Sequence, residues 1–349
     1  MSPTASDIEL SSPPDDSISA LAFAPNADDQ LLVASWDGEL RLYDVTSNSL
    51  KSHFSHKAAV LGCCWGSDNK RAYSGGLDSW VRAFDLESET TTVLGAHTST
   101  ISSIIHHTAT NTVYTGSWDQ TVRAWDPRTP SSNPAAYAQP ERVYGIDAAD
   151  NTLVVAMAGR LVNIYDLRMM KESTSNGGPL CEPTQRRESS LRFMTRTLAC
   201  MSDGKGYAMS SVEGRIAVEY FDPSPKAQDK KYAFKCHRQS VDGVDLVWPV
   251  NSLAFHPKFN TFASAGSDGT VSLWDHTAKK RLKQYPKYAS AVTAIAFTNT
   301  TGDKLAIGVS YAWDEGEDGL KREVAANGGR VIQVRVRTVG DECKPRGAK

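Results

Sequence analysis

The residues best placed to do chemistry in this 349-residue chain are two cations, Arg215 in SVEGRIAVEYFD and Lys235 in KKYAFKCHR. Their segments flank a turn centred near Pro225, so in a simple antiparallel hairpin the two fall close to opposite each other. Like charges placed so repel unless an anion bridges them. A guanidinium fork beside an ammonium suits a phosphate, with each charge-assisted bond contributing roughly 1.5–3 kcal/mol. Arg238 and Arg187 would add to the same field. A second set is apolar. Trp36 and Trp118 immediately precede Asp37 and Asp119, and Leu77 precedes Asp78, where a small residue such as Ser267 before Asp268 is usual. Large apolar groups in exposed turns suit the anchoring of a peptide. On residues alone, each set also admits a plainer reading: solvated cations on a sheet edge, and indoles folded over their neighbours.

Bond-making chemistry finds no support. The eight histidines fall mostly in turns or at strand ends, and no Ser/His/Asp or Cys/His set, nucleotide loop or carboxylate pair stands out. No catalytic residue, cofactor or metal is expected. The acidic stretch YAWDEGEDG (311–319) lacks the fixed Gly and terminal Glu of a calcium loop and reads as a solvated loop.

The elements that must carry these residues are repeats. SWDGELRLYD, GLDSWVRAFD, SWDQTVRAWD and GSDGTVSLWD end at Asp44, Asp85, Asp126 and Asp275, the first three 41 residues apart. That is the period of a WD-type propeller blade. Alternation of period two, as in SALAFAP and LLVASWD, marks strands joined by Asp- and Gly-bearing turns. Asp37, Asp78, Asp119 and Asp268 then sit between the second and third strands of their blades, with His56 and His97 upstream of Asp78 and Asp119 as structural partners. A degenerate fourth unit, AGRLVNIYD, ends at Asp166, and a fifth ends at Asp222. Polar stretches 169–190 and 223–231, with the following HRQSVDGVD, read as surface loops. The last blade takes AVTAIAFT, KLAIGVS and RVIQVRVR, and its missing strand is expected from DIEL (7–10). The expectation is therefore one all-β domain over 1–349, a seven-bladed propeller closed by the N-terminal strand, with short disordered tails at about 1–6 and 341–349.

Composition agrees. A formal net charge of −2 gives no whole-protein field for nucleic acid or anionic membrane, and no stretch is long and apolar enough to span a bilayer. Six cysteines without CxxC pairing point to free thiols in a reducing cytosol or nucleus.

Blades alone leave function open. The runs SSVEGRIAVEYFDPSP (210–225), YAFKCHR (232–238) and WPVNSLAFHPKFNTFASAGSDG (248–269) are more specific, because no propeller mechanics demand Lys-Cys-His-Arg on a fourth strand. With them, the chain from 7 to 340 resembles the WD-repeat family of spindle-checkpoint propellers that partner the Bub checkpoint kinases. The related messenger-RNA export propellers that dock on a nucleoporin share EGR and FKCHR, and are the alternative; VEYFDPSP and the absence of a long N-terminal extension separate this chain from them. The resemblance implies a non-catalytic, monomeric adaptor of the nucleus and the mitotic kinetochore, feeding the mitotic checkpoint complex. It implies that Arg215, Lys235 and Arg238 read phosphothreonine in Met-Glu-Leu-Thr repeats of the kinetochore scaffold. It also implies that Trp36, Leu77 and Trp118 receive the Gle2-binding-sequence motif of a Bub-type kinase.

Overall fold

A computed structural model describes residues 7–129, 134–170, 181–329 and 331–345. The first alternating segments form antiparallel strands Ile18–Phe23, Gln30–Ser35 and Glu39–Asp44, and Ser49–Ser55 completes a four-stranded blade 1. The same unit recurs with first strands Val60–Trp65, Ile101–His107, Val143–Ala149, Thr195–Cys200, Val250–Phe255 and Val292–Phe297, giving seven blades. Each first strand carries a register break near its start, as at Ile18/Ala20 and Val60/Gly62, which raises the local twist. Successive first strands pack on one another around the ring and so line a central channel.

The core is divided among the interfaces. Leu32, Leu40 and Phe54 of blade 1 meet Val60, Trp65 and Phe84 of blade 2 in one buried cluster. Comparable clusters fill the other blade junctions, ending with Leu31 and Tyr43 of blade 1 against Ala306 and Val334 of blade 7. A blade has no core of its own, which is why closure matters.

Closure is made as expected by the N-terminus. Strand Ile8–Glu9 pairs with Gln333–Thr338 of blade 7, Ile8 opposite Val336 and Glu9 opposite Arg335. Arg337 reaches Asp7 at 2.7 Å and Arg335 reaches Glu9 at 2.9 Å, so each acid of the incoming strand meets a cation. Leu10 is buried beside Ile18 and Val334.

The turn aspartates do the work expected of them. Asp37, Asp78, Asp119 and Asp268 each accept the N–H two residues on, at 2.9–3.2 Å. In blade 3 a chain of hydrogen bonds runs inward. His97 Nδ1 meets Asp119 at 2.8 Å, His97 Nε2 meets Thr115 Oγ1 at 2.7 Å, and the Trp125 indole N–H donates to that same hydroxyl at 2.8 Å. Burial holds the His97 imidazolium below its ordinary 6.5 despite the neighbouring carboxylate, so the ring is neutral. Burial also penalises the Asp119 carboxylate, but hydrogen bonds from His97 and Thr121 outweigh it and hold its pKa far below 3.8. Protons therefore favour the unfolded chain twice. A neutral buried His loses stability as pH falls below its unfolded value, and an ionised, bonded Asp loses it as pH falls through the acid range. Denaturant midpoints are expected to drop below about pH 6.5 and again below about pH 4, and His97→Asn should shrink the first step.

Four segments differ from the sequence reading. The acidic stretch is not a simple loop: helix Gly316–Ala326 begins inside it, Gly319 packed against Tyr311. Gln185–Glu188, placed in a loop, is the fourth strand of blade 4; residues 171–180 of that loop lie outside the described residues. HRQSVDGVD folds as a hairpin, Arg238–Val241 against Val244–Val247, because Asp242 and Gly243 both take left-handed φ (50° and 80°) as a tight primed turn requires. At the C-terminus, expected as tail, Asp341–Cys343 form a turn with Cys343 fully buried and Glu342 bonded to Tyr285 and Lys283; 1–6 and 346–349 lie outside the described residues.

Candidate functional site

One backbone hydrogen bond, repeated in every blade, fixes the candidate rim. The residue that follows the second strand donates its N–H to a carbonyl just before the first: Trp36 to Ser17, Leu77 to Ala59 and Trp118 to Thr100, each at 2.9 Å. Ala158, Val212, Ser267 and Ser310 do the same in blades 4 to 7. These seven side chains form one circle around the channel mouth. Its large members occupy blades 1 to 3, and small hydroxyls hold blades 6 and 7. Trp36 is 48% and Trp118 39% exposed, so neither indole is consumed by packing; Leu77 between them is half-buried. Tyr43, Phe84, Trp125 and Trp274, by contrast, belong to the interface clusters.

Two further tryptophans on this rim escaped the sequence reading. Trp80, 41% exposed at the start of strand Trp80–Asp85, has Lys57 Nζ and Arg82 Cζ at 5.6 and 5.7 Å from its ring centroid. Trp313, half-exposed in the blade 7 insertion, leans on Tyr311. The available signal was an aromatic where the sibling blades carry Glu39 and Thr121. Arg196 was missed as well: it projects from the first strand of blade 5, its Nε 3.3 Å from Asn251 Oδ1 of blade 6.

The basic pair lies across the ring, in blade 5. Arg215 opens strand Arg215–Tyr220, Lys235 closes strand Tyr232–Lys235, and the register sets the two residues directly opposite. Lys235 is exposed and makes no ion pair among the described residues. Arg215 is about one-third exposed, with Nε 3.4 Å from Glu213 Oε2. The intervening Gly214 has φ +60°, which Ser79 and Gln120 also tolerate in their turns; here, however, an added Cβ would lie 2.6 Å from the Cys236 carbonyl. Glycine in Glu-Gly-Arg is thus what lets the Arg215 turn close onto the end of the Lys235 strand.

The other two cations do not join the pair as free charges. Arg238 donates to the Glu213 carbonyl at 2.9 Å and faces Asp245 at 3.5 Å, which makes it a bracket between the Glu213–Gly214 turn and the hairpin after it. Arg187 points the other way, bonding Gln185 and the Phe221 carbonyl near Glu219, at the far end of the strand that Arg215 opens. Half of Lys-Cys-His-Arg also proves mechanical after all. Cys236 is core, and His237 bonds Asp268 and Ser264 at 2.8 Å each, with the Trp274 indole on the same hydroxyl, as in blade 3. The sequence reading paired His56 and His97 but missed His237, because 31 residues separate it from Asp268 where 22 separate the other two pairs.

Fold and rim together define a WD-repeat propeller, and the WD domain, G-beta repeat family model matches residues 8–44, 47–85, 88–126 and 230–275. The chain is 49% identical to mitotic checkpoint protein BUB3.1 of Arabidopsis thaliana, covering 90% of each protein. It is 40% identical to mitotic checkpoint protein bub3 of Dictyostelium discoideum over 90% of this chain and 92% of that one. The mRNA export factor GLE2 of Chaetomium thermophilum is 37% identical over 97% of this chain and 92% of its own length. The solved structure of U3-55K matches in fold alone, with a TM-score of 0.73 at 15% identity over 95% of this chain and 98% of that one. This chain belongs to the Bub3 family of mitotic checkpoint proteins, a family of non-catalytic WD-repeat propellers related to the export factors.

Proposed function

We propose that this propeller is a two-site checkpoint adaptor. Arg215 and Lys235 receive phosphothreonine in Met-Glu-Leu-Thr repeats of a kinetochore scaffold, and Trp36, Leu77 and Trp118 anchor the Gle2-binding-sequence motif of a Bub-type kinase. The observation that carries the reading is the direct register of Arg215 with Lys235, two cations facing each other with Glu213 the one counter-ion to the pair among the described residues. Arg238 supports the site by holding the turn that presents Arg215. Phosphorylation creates the missing charge, and a rigid ring joins the two bound peptides, so recruitment gains avidity with no bond broken. The kinase segment orders on the rim as it binds. Such an adaptor acts in the nucleus and at mitotic kinetochores, within the mitotic checkpoint complex.

The test is a titration of the purified chain with a Met-Glu-Leu-Thr peptide, phosphorylated and not, in the presence and absence of the kinase segment. Phosphate-dependent binding supports the adaptor. Binding of the kinase segment with no response to phosphate under any condition removes the phosphate site, and favours the export-factor branch represented by the 37% identical relative.

A further inference from the structure

Glu213 stands where an incoming phosphate would compete with it. Its Oε2 is 3.4 Å from Arg215 Nε and its Oε1 3.9 Å from Arg238 Nη2. The residue is held at both ends of its own backbone: its N–H donates to Ser211 Oγ at 3.3 Å, and its carbonyl accepts from Arg238 at 2.9 Å. The side chain is only 26% exposed, so the carboxylate stays beside the guanidinium rather than ranging through solvent. Lys235, by contrast, has no anion of its own among the described residues.

We propose that Glu213 is a resident counter-anion of the phosphate site, set so that a ligand carboxylate does not clear the threshold for binding Arg215 and phosphothreonine does. The inference rests on the phosphothreonine reading above and names what selects the ligand. Binding at Arg215 is an exchange of anions. A glutamate side chain from a peptide replaces one carboxylate–guanidinium contact with another of the same kind, and still pays the entropy of ordering the peptide. It gains nothing net. A phosphate brings roughly −1.5 to −2 charges and three acceptor oxygens, enough to hold Arg215 and reach Lys235 at once. That second contact is what Glu213, tied to its own turn, does not make. The device matters because the expected peptide carries a glutamate two residues before the phosphothreonine. Without the resident anion, the unphosphorylated repeat would have a carboxylate to offer the same two cations, and rejection of that wrong ligand is how specificity is set.

Glu213→Gln tests this, since it keeps the shape and both backbone bonds and removes the charge. Dissociation constants are measured for the native chain and the variant with three peptides: phosphothreonine, threonine, and glutamate in place of the threonine. In parallel, the Arg215 Nε–Hε NMR signal is titrated with phenyl phosphate and with acetate. The variant is expected to bind the phosphopeptide about threefold to tenfold more tightly, and to bind the glutamate peptide measurably where the native chain does not. Where the native chain binds the phosphopeptide, weaker binding by the variant, or no change with any peptide, overturns the inference and leaves Glu213 as a residue that merely orients Arg215. If the phosphopeptide binds neither protein, but acetate and phenyl phosphate shift Arg215 at lower concentration in the variant, the resident anion stands and the phosphothreonine reading falls. If neither probe shifts Arg215 in either protein, both fall.

Discussion

Replacing Arg215 and Lys235 together by alanine is expected to remove phosphopeptide binding, weakening it by at least about 100-fold, while the kinase segment binds unchanged. The size follows from the bonds at stake. Two charge-assisted contacts of roughly 1.5–3 kcal/mol each sum to about 3–6 kcal/mol, or two to four decades in affinity. The fold should not notice. Lys235 is exposed, Arg215 sits at a strand end, and alanine in both places ends a like-charge repulsion across the pair. A thermal midpoint within a few degrees of the native one is the control. Equal loss of phosphopeptide and kinase segment would mean that the two sites are one, and would sink the two-site adaptor.

Trp36→Ala with Trp118→Ala is expected to produce the reverse. Exposed aromatics that become desolvated anchors typically cost about 2 kcal/mol or more each on truncation, about 4 kcal/mol for the two, so affinity for the kinase segment should fall about 1,000-fold. Phosphopeptide affinity of the isolated propeller should hold. Both indoles are substantially exposed in the free protein, at 48% and 39%, so stability should change by no more than about 0.5 kcal/mol per site. Titration calorimetry with each peptide separately reads both effects. A stability loss of several kcal/mol, with the segment still bound, would show the indoles to be packing groups. The two double variants bracket the mechanism: each should abolish one binding event, and either should abolish co-recruitment, because avidity needs both sites on one rigid ring.

Legibility differed sharply between the two sites. The tryptophan rim could be read because its position is defined by a short turn. Trp36, Leu77 and Trp118 each directly precede an aspartate that caps its own turn two residues later. The Arg215–Lys235 pairing was readable for a similar reason, a hairpin symmetric about Pro225. Arg238 and Arg187 were not. Whether a cation is spent within the molecule depends on carbonyls and carboxylates brought in from elsewhere, and the Glu213 carbonyl and the Phe221 carbonyl claim these two. The helix Gly316–Ala326 was hidden by its acidic, glycine-bearing start. The hairpin Arg238–Val241 with Val244–Val247 was hidden because a polar run around Asp-Gly reads equally as loop or turn.

By itself, then, the sequence determined the blade: period-two alternation, turn aspartates and a repeat near 41 residues act over a few neighbours, and such local terms survive without knowledge of the rest of the chain. It also determined how the ring closes, since DIEL supplied the strand that the last blade lacked. Tertiary structure alone decided which charged groups remain available. Coulombic and hydrogen-bond competition is settled within a few ångströms in space, across blades and turns that the chain visits many residues apart. Arg238 drawn onto the Glu213–Gly214 turn, Arg187 drawn away to the Phe221 carbonyl and Lys235 left without an ion pair among the described residues are outcomes of that competition, visible only once the ring is closed.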